Sequence, residues 1–171
     1  MAKICLNAGH TVAGAGTGAI GYLIESIETR KVVNAVRRYL EMKGHTVYIA
    51  NVDKAKSQGD YLCSVVNKAN ETDADLFVSI HFNAGKARGS ECFTWRGKKT
   101  SQSVGICREL SELGFFNRGV KDGSNLYVIR KTKMPSVLVE VCFVDNRNEY
   151  ELYKKLGVNR VAQALTRGIL S

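Results

Sequence analysis

Three polar side chains interrupt segments of the chain that are otherwise apolar. His10 follows the segment KICLNAG, His81 lies in DLFVSIHF, and Glu140 lies inside the run SVLVEVCFV. A histidine beside a strand is most often a hydrogen-bonded structural residue. A glutamate within such a hydrophobic run is harder to explain, because burial of its unpaired charge is energetically costly. Glu140 therefore requires either a cationic neighbour or a catalytic role.

The three residues occupy similar places relative to the predicted strands. His10 follows the first strand, His81 ends the third, and Glu140 lies toward the end of its own strand. Sites of α/β sheets gather at the carboxyl ends of strands, so parallel neighbouring strands would bring these side chains together. Two histidines and a carboxylate form an open catalytic zinc site, and a further carboxylate can then act as the base. Glu25 and Glu28 are the candidates for the second acid, although the helix dipole also accounts for either one.

Helical periodicity separates the predicted strands. Apolar residues recur at steps of three and four over Leu23–Lys43, and Gly44 then ends this first helix. Further helices are predicted over Tyr61–Ala69 and Ser101–Leu113, with one or two over Arg147–Leu170. The segments predicted as strands are KICLNAG, HTVYIA, DLFVSIHF, SECFTWR, NLYVIR and SVLVEVCFV, and those predicted as loops are HTVAGAGTGAIG and GFFNRGVKDGS.

This alternation of strands and helices predicts the α/β fold class. We expect a single domain with a twisted, mostly parallel or mixed central sheet of about six strands and helices on both faces. A chain of 171 residues suits one domain with one adequate core. No apolar run is long enough to span a bilayer, and no signal peptide is recognised at the N-terminus. The sequence therefore predicts no membrane insertion.

The cysteines and the net charge indicate the redox compartment of the protein and the kind of partner that it binds. The five cysteines are odd in number and form no CxxC pair, so we interpret them as free thiols of a reducing compartment. The net charge of +9 favours an anionic partner, although a scattered basic surface is also the ordinary solvated kind. No nucleic-acid-binding signature is present, and no nucleic-acid partner is expected.

Taken in order, the motifs resemble the catalytic domain of zinc-dependent N-acetylmuramoyl-L-alanine amidases of bacteria and phage endolysins. The landmarks are NAGH after the first strand, an acid at the start of the first helix, LEMKGHTVYIA, DLFVSIHFNA, NRGVK followed by LYVI, and PSVLVEVCFVDN. The resemblance covers nearly the whole chain, and the order of the motifs is more specific than any one of them. One departure is GHTVAGAG, which stands where many relatives have glycines and an aspartate.

The resemblance implies a set of site residues. His10, Glu25 and His81 would be the metal ligands of one Zn²⁺ per chain. Glu25 is preferred to Glu28 because the family's ligand glutamate lies about five turns before the glycine that ends the first helix. Glu140 would be the catalytic glutamate of the PxVLVE strand. The substrate-binding residues would be Asn83, Arg118 and Lys121.

The resemblance also implies a function. The substrate would be bacterial peptidoglycan, and the reaction would be hydrolysis of the amide between N-acetylmuramic acid and L-alanine. The enzyme is expected to be a monomeric catalytic domain over 1–171, made in the bacterial cytoplasm and acting on the wall after release, with a possible wall-binding domain beyond it. Two alternatives remain open, namely a zinc peptidase or carboxypeptidase that cuts a different amide and a non-catalytic basic binding module.

Overall fold

The computed structural model describes residues 1–171, which form eight strands and five helices. In chain order the strands are β1 (Lys3–Ala8), β2 (Ala13–Gly14), β3 (Thr46–Ile49), β4 (Lys54–Ala55), β5 (Leu76–Asn83), β6 (Ser90–Thr94), β7 (Asn117–Asp122) and β8 (Ser136–Phe143). The helices are α1 (Glu25–Met42), α2 (Gln58–Asn70), α3 (Ser101–Glu112), α4 (Tyr127–Lys131) and α5 (Arg147–Ile169).

Six of the strands form one mixed sheet in the order β3-β1-β5-β8-β6-β7. The strands β3, β1, β5 and β8 are parallel, whereas β6 runs antiparallel to β8 and parallel to β7. The carboxyl ends of β1, β5 and β8 therefore meet at one edge of the sheet, as the sequence-based argument required. In this register His81 on β5 lies beside Glu140 on β8, and Glu140 lies opposite Glu91 on β6.

Helices cover the two faces of this sheet unequally. One face packs against α1, α3 and α5 and includes the side chains of Val78 and Ile80. The other face packs against α2 and α4 and includes Phe77 and Leu138. The predicted α/β class, the mixed central sheet of about six strands and the helices on both faces are thus confirmed.

Three predicted segments differ from the structure. NLYVIR was predicted as a strand, but its residues start α4, because Val128 and Ile129 pack side by side into the core beneath the short helix. GFFNRGVKDGS was predicted as a loop, but it contains β7, which is an edge strand and so lacks a continuous apolar run. The predicted loop HTVAGAGTGAIG also contains β2, which pairs with β4 over two residues.

Glycines mark where the long helices end or break. Gly44 has φ +83° and directly follows the cap of α1 at Lys43, as the sequence predicted. Gly157 has φ +73° inside α5 and interrupts its helical geometry, so the C-terminal segment is one element with a break. None of the helices combines the length and the apolar character that crossing a membrane requires.

Candidate metal centre and active site

His10, Glu25 and His81 converge at the carboxyl end of the sheet. One potential ligand atom from each residue lies within 4.8 Å of the other two. Glu25 is central, because its Oε2 lies 3.2 Å from Nε2 of His10 and its Oε1 lies 3.2 Å from Nδ1 of His81. The carboxylate also accepts hydrogen bonds from the backbone N–H groups of Ala19 and Phe82. The side chain of Glu25 is 4% exposed, and its position on the first turn of α1 is therefore fixed from several directions.

The backbone of His10 has a conformation that non-glycine residues rarely adopt, with φ +68°. Its N–H donates to Tyr61 Oη at 2.6 Å, and its carbonyl accepts from Nη2 of Arg30 at 2.9 Å. The guanidinium of Arg30 also donates to the carbonyls of Ser26 and Val52. Tyr61 and Arg30 thus hold the turn after β1, and neither position carried a sequence signal for this role.

Two glycines leave the space in which the imidazole rings lie. A Cβ on Gly9 would lie 2.4 Å from Cε1 of His81. A Cβ on Gly18 would lie 2.7 Å from Cγ of His10 and 2.8 Å from Oε2 of Glu25. The glycine-rich sequence between β1 and α1 is therefore required by close packing around the cluster, in addition to the turns that it makes.

The hydrogen bonds of the far ring nitrogens set the tautomer of each histidine. Nδ1 of His10 lies 3.0 Å from the carbonyl oxygen of Gly16, which can only accept, so the proton is on Nδ1. Nε2 of His81 lies 3.1 Å from Oγ of Ser79, and that hydroxyl donates to Oδ1 of Asn7 at 2.8 Å. The proton of His81 is therefore on Nε2.

In these tautomers both histidines direct a lone pair toward the carboxylate of Glu25. Three electron-pair donors face one another and need a proton or a cation between them. Burial lowers the pKa of His10, but the hydrogen bond and charge of Glu25 outweigh it and shift that pKa upward. Two imidazole nitrogens and a carboxylate oxygen, with second nitrogens held by backbone and hydroxyl groups, form a donor set that fits a zinc ion.

Glu28, the alternative acid, lies outside this cluster. Its Oε2 accepts from Tyr153 Oη at 2.9 Å, and its Oε1 pairs with Nζ of Lys31 at 2.7 Å. An α-helix has 3.6 residues per turn, so Glu28, three positions after Glu25, lies most of a turn further along the axis of α1. The structure thus brings Glu25, and not Glu28, to the two histidines.

Glu140 lies beside the cluster, as the neighbour of His81 across the β5–β8 pair. Its Oε2 is buried and has no hydrogen-bond partner. Burial is the main cause that holds the pKa of Glu140 well above its ordinary value, and the negative charges of Glu25 and Glu91 raise it further. A carboxyl group with a raised pKa and an unpartnered oxygen is suited to accept a proton during a reaction.

Asn83, Arg118 and Lys121 all contact the same carboxylate, that of Glu91 on β6. Asn83 Nδ2 donates to Oε1 at 2.9 Å, and Arg118 Nε donates to Oε2 at 2.5 Å. Nζ of Lys121 forms an ion pair with Oε2. Burial raises the pKa of Glu91, but the hydrogen bonds from Lys121 and Arg118 outweigh this effect, and the net shift is downward.

Glu91 was not among the residues predicted from the sequence, although it is only 3% exposed. It lies in SECFTWR, where apolar and polar residues alternate weakly, so its burial was not evident. Its place opposite Glu140 in the β6–β8 pair brings it next to the candidate base. The signal that it carried was a second acid within a predicted strand, the same signal that identified Glu140.

A cavity of about 290 Å³ adjoins the cluster on the side of α2 and α4. His10 and His81 form one wall of this cavity, and Leu138 contributes from β8. The remaining lining residues are mostly apolar or aromatic: Gln58, Tyr61, Leu62, Asn125, Leu126, Tyr127 and Val128. A ligand in this cavity would therefore meet an apolar surface next to the two imidazoles.

The sequence profile of a family described as N-acetylmuramoyl-L-alanine amidase matches residues 4–171. An uncharacterised protein of Clostridium perfringens is 34% identical over 175 residues, which cover 98% of this chain and 51% of that protein. The N-acetylmuramoyl-L-alanine amidase CwlM of Bacillus licheniformis is 34% identical over 172 residues, which cover 98% of this chain and 66% of CwlM. The chain thus spans about half the length of the first of these relatives.

A solved structure is similar over nearly the same extent. The catalytic domain of the CD27L endolysin, which targets Clostridium difficile, superposes with a TM-score of 0.92 at 27% sequence identity. The match covers 99% of this chain and 97% of that domain. The sheet and helices described above therefore match nearly the whole of that catalytic domain.

Proposed function

The chain belongs to the N-acetylmuramoyl-L-alanine amidase family, and we propose that it hydrolyses the amide between N-acetylmuramic acid and L-alanine in bacterial peptidoglycan with one zinc ion per chain. One observation carries this proposal. His10, Glu25 and His81 direct three electron-pair donors at one another, and Glu140 lies beside them with an unpartnered buried oxygen. This is the arrangement of an open metal site with a separate base.

His10, Glu25 and His81 would hold the zinc ion. When bound, zinc polarises a carbonyl oxygen and lowers the pKa of a water molecule to about 7. Arg30 and Tyr61 keep His10 in its left-handed conformation, so that the ligand set is largely formed before the metal binds. Preorganisation of this kind increases metal affinity, because less conformational entropy is lost on binding.

Glu140 acts as the general base and then as the general acid. Oε2 accepts a proton from the attacking water and later donates it to the nitrogen of L-alanine as that amine leaves. The raised pKa of Glu140 favours the first transfer, because a more basic carboxylate accepts a proton more readily. The absence of a hydrogen-bond partner leaves Oε2 free for both transfers.

In this proposal the substrate-binding side of the cleft is formed by Asn83, Arg118 and Lys121. The chain acts as a monomer, and residues 1–171 are its single catalytic domain. The similarity to an endolysin catalytic domain supports action on the cell wall after release from the bacterial cytoplasm. The net charge of +9 supports the same partner, because peptidoglycan and its attached polymers carry carboxylates and phosphates.

The function is tested by mass spectrometry of purified peptidoglycan after digestion by the protein. We expect free amino groups on L-alanine together with newly formed lactyl carboxylates on muramic acid, and we expect a chelator to stop the reaction. Other new end groups would mean a peptidase that cuts a different amide. An unchanged wall, together with a purified protein that holds no stoichiometric zinc, would mean a binding module.

A further inference from the structure

Two cations held by one buried carboxylate lie next to the candidate base. We propose that Arg118 and Lys121 form a subsite for a carboxylate of the stem peptide, and that Glu91 positions them there. This inference rests on the proposed function and adds to it a preference among peptidoglycans. It also assigns a role to Glu91, which the mechanism above does not use.

Several hydrogen-bond donors of the two cations remain available for a ligand. Arg118 uses Nε on Glu91 and one Nη1 donor on the carbonyl of Arg88, and its Nη2 has no protein partner. Lys121 pairs only with Glu91, so an ammonium group with three donors keeps two of them free. Two positive charges and one negative charge leave this group with a net charge of +1. An anion can therefore bind here without displacing the protein's own ion pairs.

The two cations are accessible to a ligand and are held in place by their neighbours. The side chains of Arg118 and Lys121 are 28% and 39% exposed, whereas that of Glu91 is 4% exposed. The guanidinium of Arg118 also lies over the ring of Phe143, with Cζ 5.2 Å from the ring centroid. The cations are thus held at their inner side and open at their outer side, as a preformed anion site requires.

The two cations lie within reach of a peptide whose scissile amide is at Glu140. Glu91 and Glu140 face each other across one antiparallel pair, so their Cα atoms are about 5 Å apart, and β7 lies about 4.8 Å beyond β6. The cations are therefore about one or two strand spacings, roughly 5–10 Å, from the base. A peptide advances by at most about 3.6 Å per residue. A carboxylate on the residue after L-alanine can thus reach the cations while the scissile amide lies at Glu140.

The two sides of the cleft differ in charge. Beyond the histidines, on the side away from β6 and β7, the cavity is lined mostly by apolar and aromatic residues and contains no lysine or arginine. The N-acetylmuramoyl unit carries no charge once its lactyl group is in amide linkage, whereas the stem peptide carries carboxylates. Charge complementarity therefore places the peptide over β6 and β7 and the sugar toward α2 and α4.

The test uses two synthetic muramoyl peptides that differ only at the residue after L-alanine. In one it is γ-linked D-glutamate with a free α-carboxylate, and in the other it is the neutral α-amide. We expect the wild-type zinc enzyme to show a KM about tenfold lower for the carboxylate form, the scale of one charge-assisted hydrogen bond, with similar kcat. The Lys121→Met variant should lose most of this preference, and Arg118→Met should behave likewise.

A matched control separates this subsite from the general charge of the protein. Lys154→Met removes the same charge from an exposed position on α5, and it should leave the preference unchanged. Glu91→Gln should also lose the preference, since the cations are no longer anchored, and its melting temperature shows whether the fold is retained. A merely structural role for Glu91 would change stability and leave the ratio of the two KM values as it is.

The outcomes are distinguishable from a failure of the proposed function. Equal KM values for the two peptides in the wild-type enzyme would overturn the subsite, and so would an unchanged preference in Lys121→Met. If neither peptide is cleaved, the proposed function fails, and calorimetric binding of the two free stem peptides then decides the subsite alone. Tighter binding of the carboxylate peptide that Lys121→Met abolishes would support it, and equal binding would overturn it.

Discussion

The same strands of the central sheet carry different side chains on its two faces. On β5, Val78, Ile80 and Phe82 are buried beneath the helices α1, α3 and α5. The alternate residues of the same strand, His81 and Asn83, lie on the face that α2 and α4 cover only in part. The covered face is thus a hydrophobic core, whereas the open face carries the polar side chains of the site.

This difference follows from the two-residue period of a strand, because successive side chains point to opposite faces. β8 repeats the pattern, with Val139 and Val141 buried on the covered face and Glu140 between them on the open face. Close packing on one face fixes the backbone, and the fixed backbone positions the groups on the other. Substitutions on the covered face should therefore change stability, and those on the open face should change metal binding and turnover.

Loss of a ligand on the open face should have the largest effect. We expect His81→Ala to lower zinc affinity by more than about a hundredfold, beyond the usual cost of losing a supporting residue, and to abolish hydrolysis. Metal analysis and wall hydrolysis on one preparation measure both. His45→Ala is the matched control, because His45 lies at the far end of the sheet and accepts only from the N–H of Ala2. Stoichiometric zinc in His81→Ala would refute the ligand assignment.

Neutralisation of the candidate base should affect turnover alone. Glu140→Gln should keep the fold and the zinc but lower kcat by about 10²–10⁴-fold, the range of general acid–base catalysis. Its melting temperature should be equal or higher, because a carboxyl group whose Oε2 is buried without a hydrogen-bond partner is replaced by a neutral amide. Lost zinc in this variant would make Glu140 a ligand, and full activity would make it a structural residue. Glu28→Gln provides the control for removal of a nearby acid.

A cavity on the covered face should affect stability alone. Ile80 is fully buried and directly precedes His81, yet its side chain points to the opposite face. We expect Ile80→Ala to lower the free energy of unfolding by about 2–5 kcal/mol while zinc affinity changes by less than about threefold. Leu165→Ala, on α5 at the same face, should give the same result. If the zinc affinity of Ile80→Ala falls together with its stability, the two faces are coupled. The covered face would then affect metal binding as well as stability.

Alanine at two glycines of similar φ should have different effects, because only one of them lies against the candidate metal ligands. Gly18 and Gly44 have φ of +79° and +83°, so alanine at either position should cost about 1–2 kcal/mol of stability. A Cβ at Gly44 meets nothing within 4 Å, whereas one at Gly18 would clash with His10 and Glu25. Gly18→Ala should therefore also lower zinc affinity by about tenfold, which titration with a zinc chelator measures. Equal zinc affinities in the two variants would show that the clash is relieved without moving a ligand.

The sequence predicted most of the sheet because its central strands are strongly apolar. The segments DLFVSIHF and SVLVEVCFV have the continuous hydrophobic character of strands buried between helices, and both were assigned to the correct element. The same apolar runs made His81 and Glu140 stand out as polar exceptions. The positions of these two residues were thus predictable, whereas their roles stay predictions until metal binding and turnover are measured.

The sequence failed where the elements lie at the margin of the sheet. β7 is an edge strand that contains Asn117, Gly119 and Lys121, so it has no period from which a strand could be predicted. α4 has only five residues, and a short apolar run cannot be distinguished from a strand by periodicity. Glu91 was missed for a related reason, since its importance comes from long-range pairing with Arg118. The acid within SECFTWR was its one local signal, whereas the pairing itself follows from the topology.

Charges at the rim of the covered face should have the smallest effect, which pH can detect. Glu109 on α3 pairs with Nε of Arg167 at 2.6 Å and with Nη2 of Arg108 at 3.1 Å. Burial raises the pKa of Glu109, but the two arginines outweigh it and lower that pKa below its ordinary value. A depressed folded-state pKa stabilises the protein above the unfolded-state value, about 4.3, and this stabilisation is lost as the pH falls through the folded-state pKa. Because both arginines are more than half exposed, screening limits the contribution to less than about 1 kcal/mol.

Denaturant unfolding of Glu109→Gln should therefore show a free energy of unfolding slightly below that of the wild type at pH 7. This deficit should shrink below about pH 4.3, while wall hydrolysis at pH 7 stays unchanged. A deficit that grows in acid would mean that Glu109 stabilises the fold through its protonated form, and reduced hydrolysis would mean that this rim is coupled to the open face.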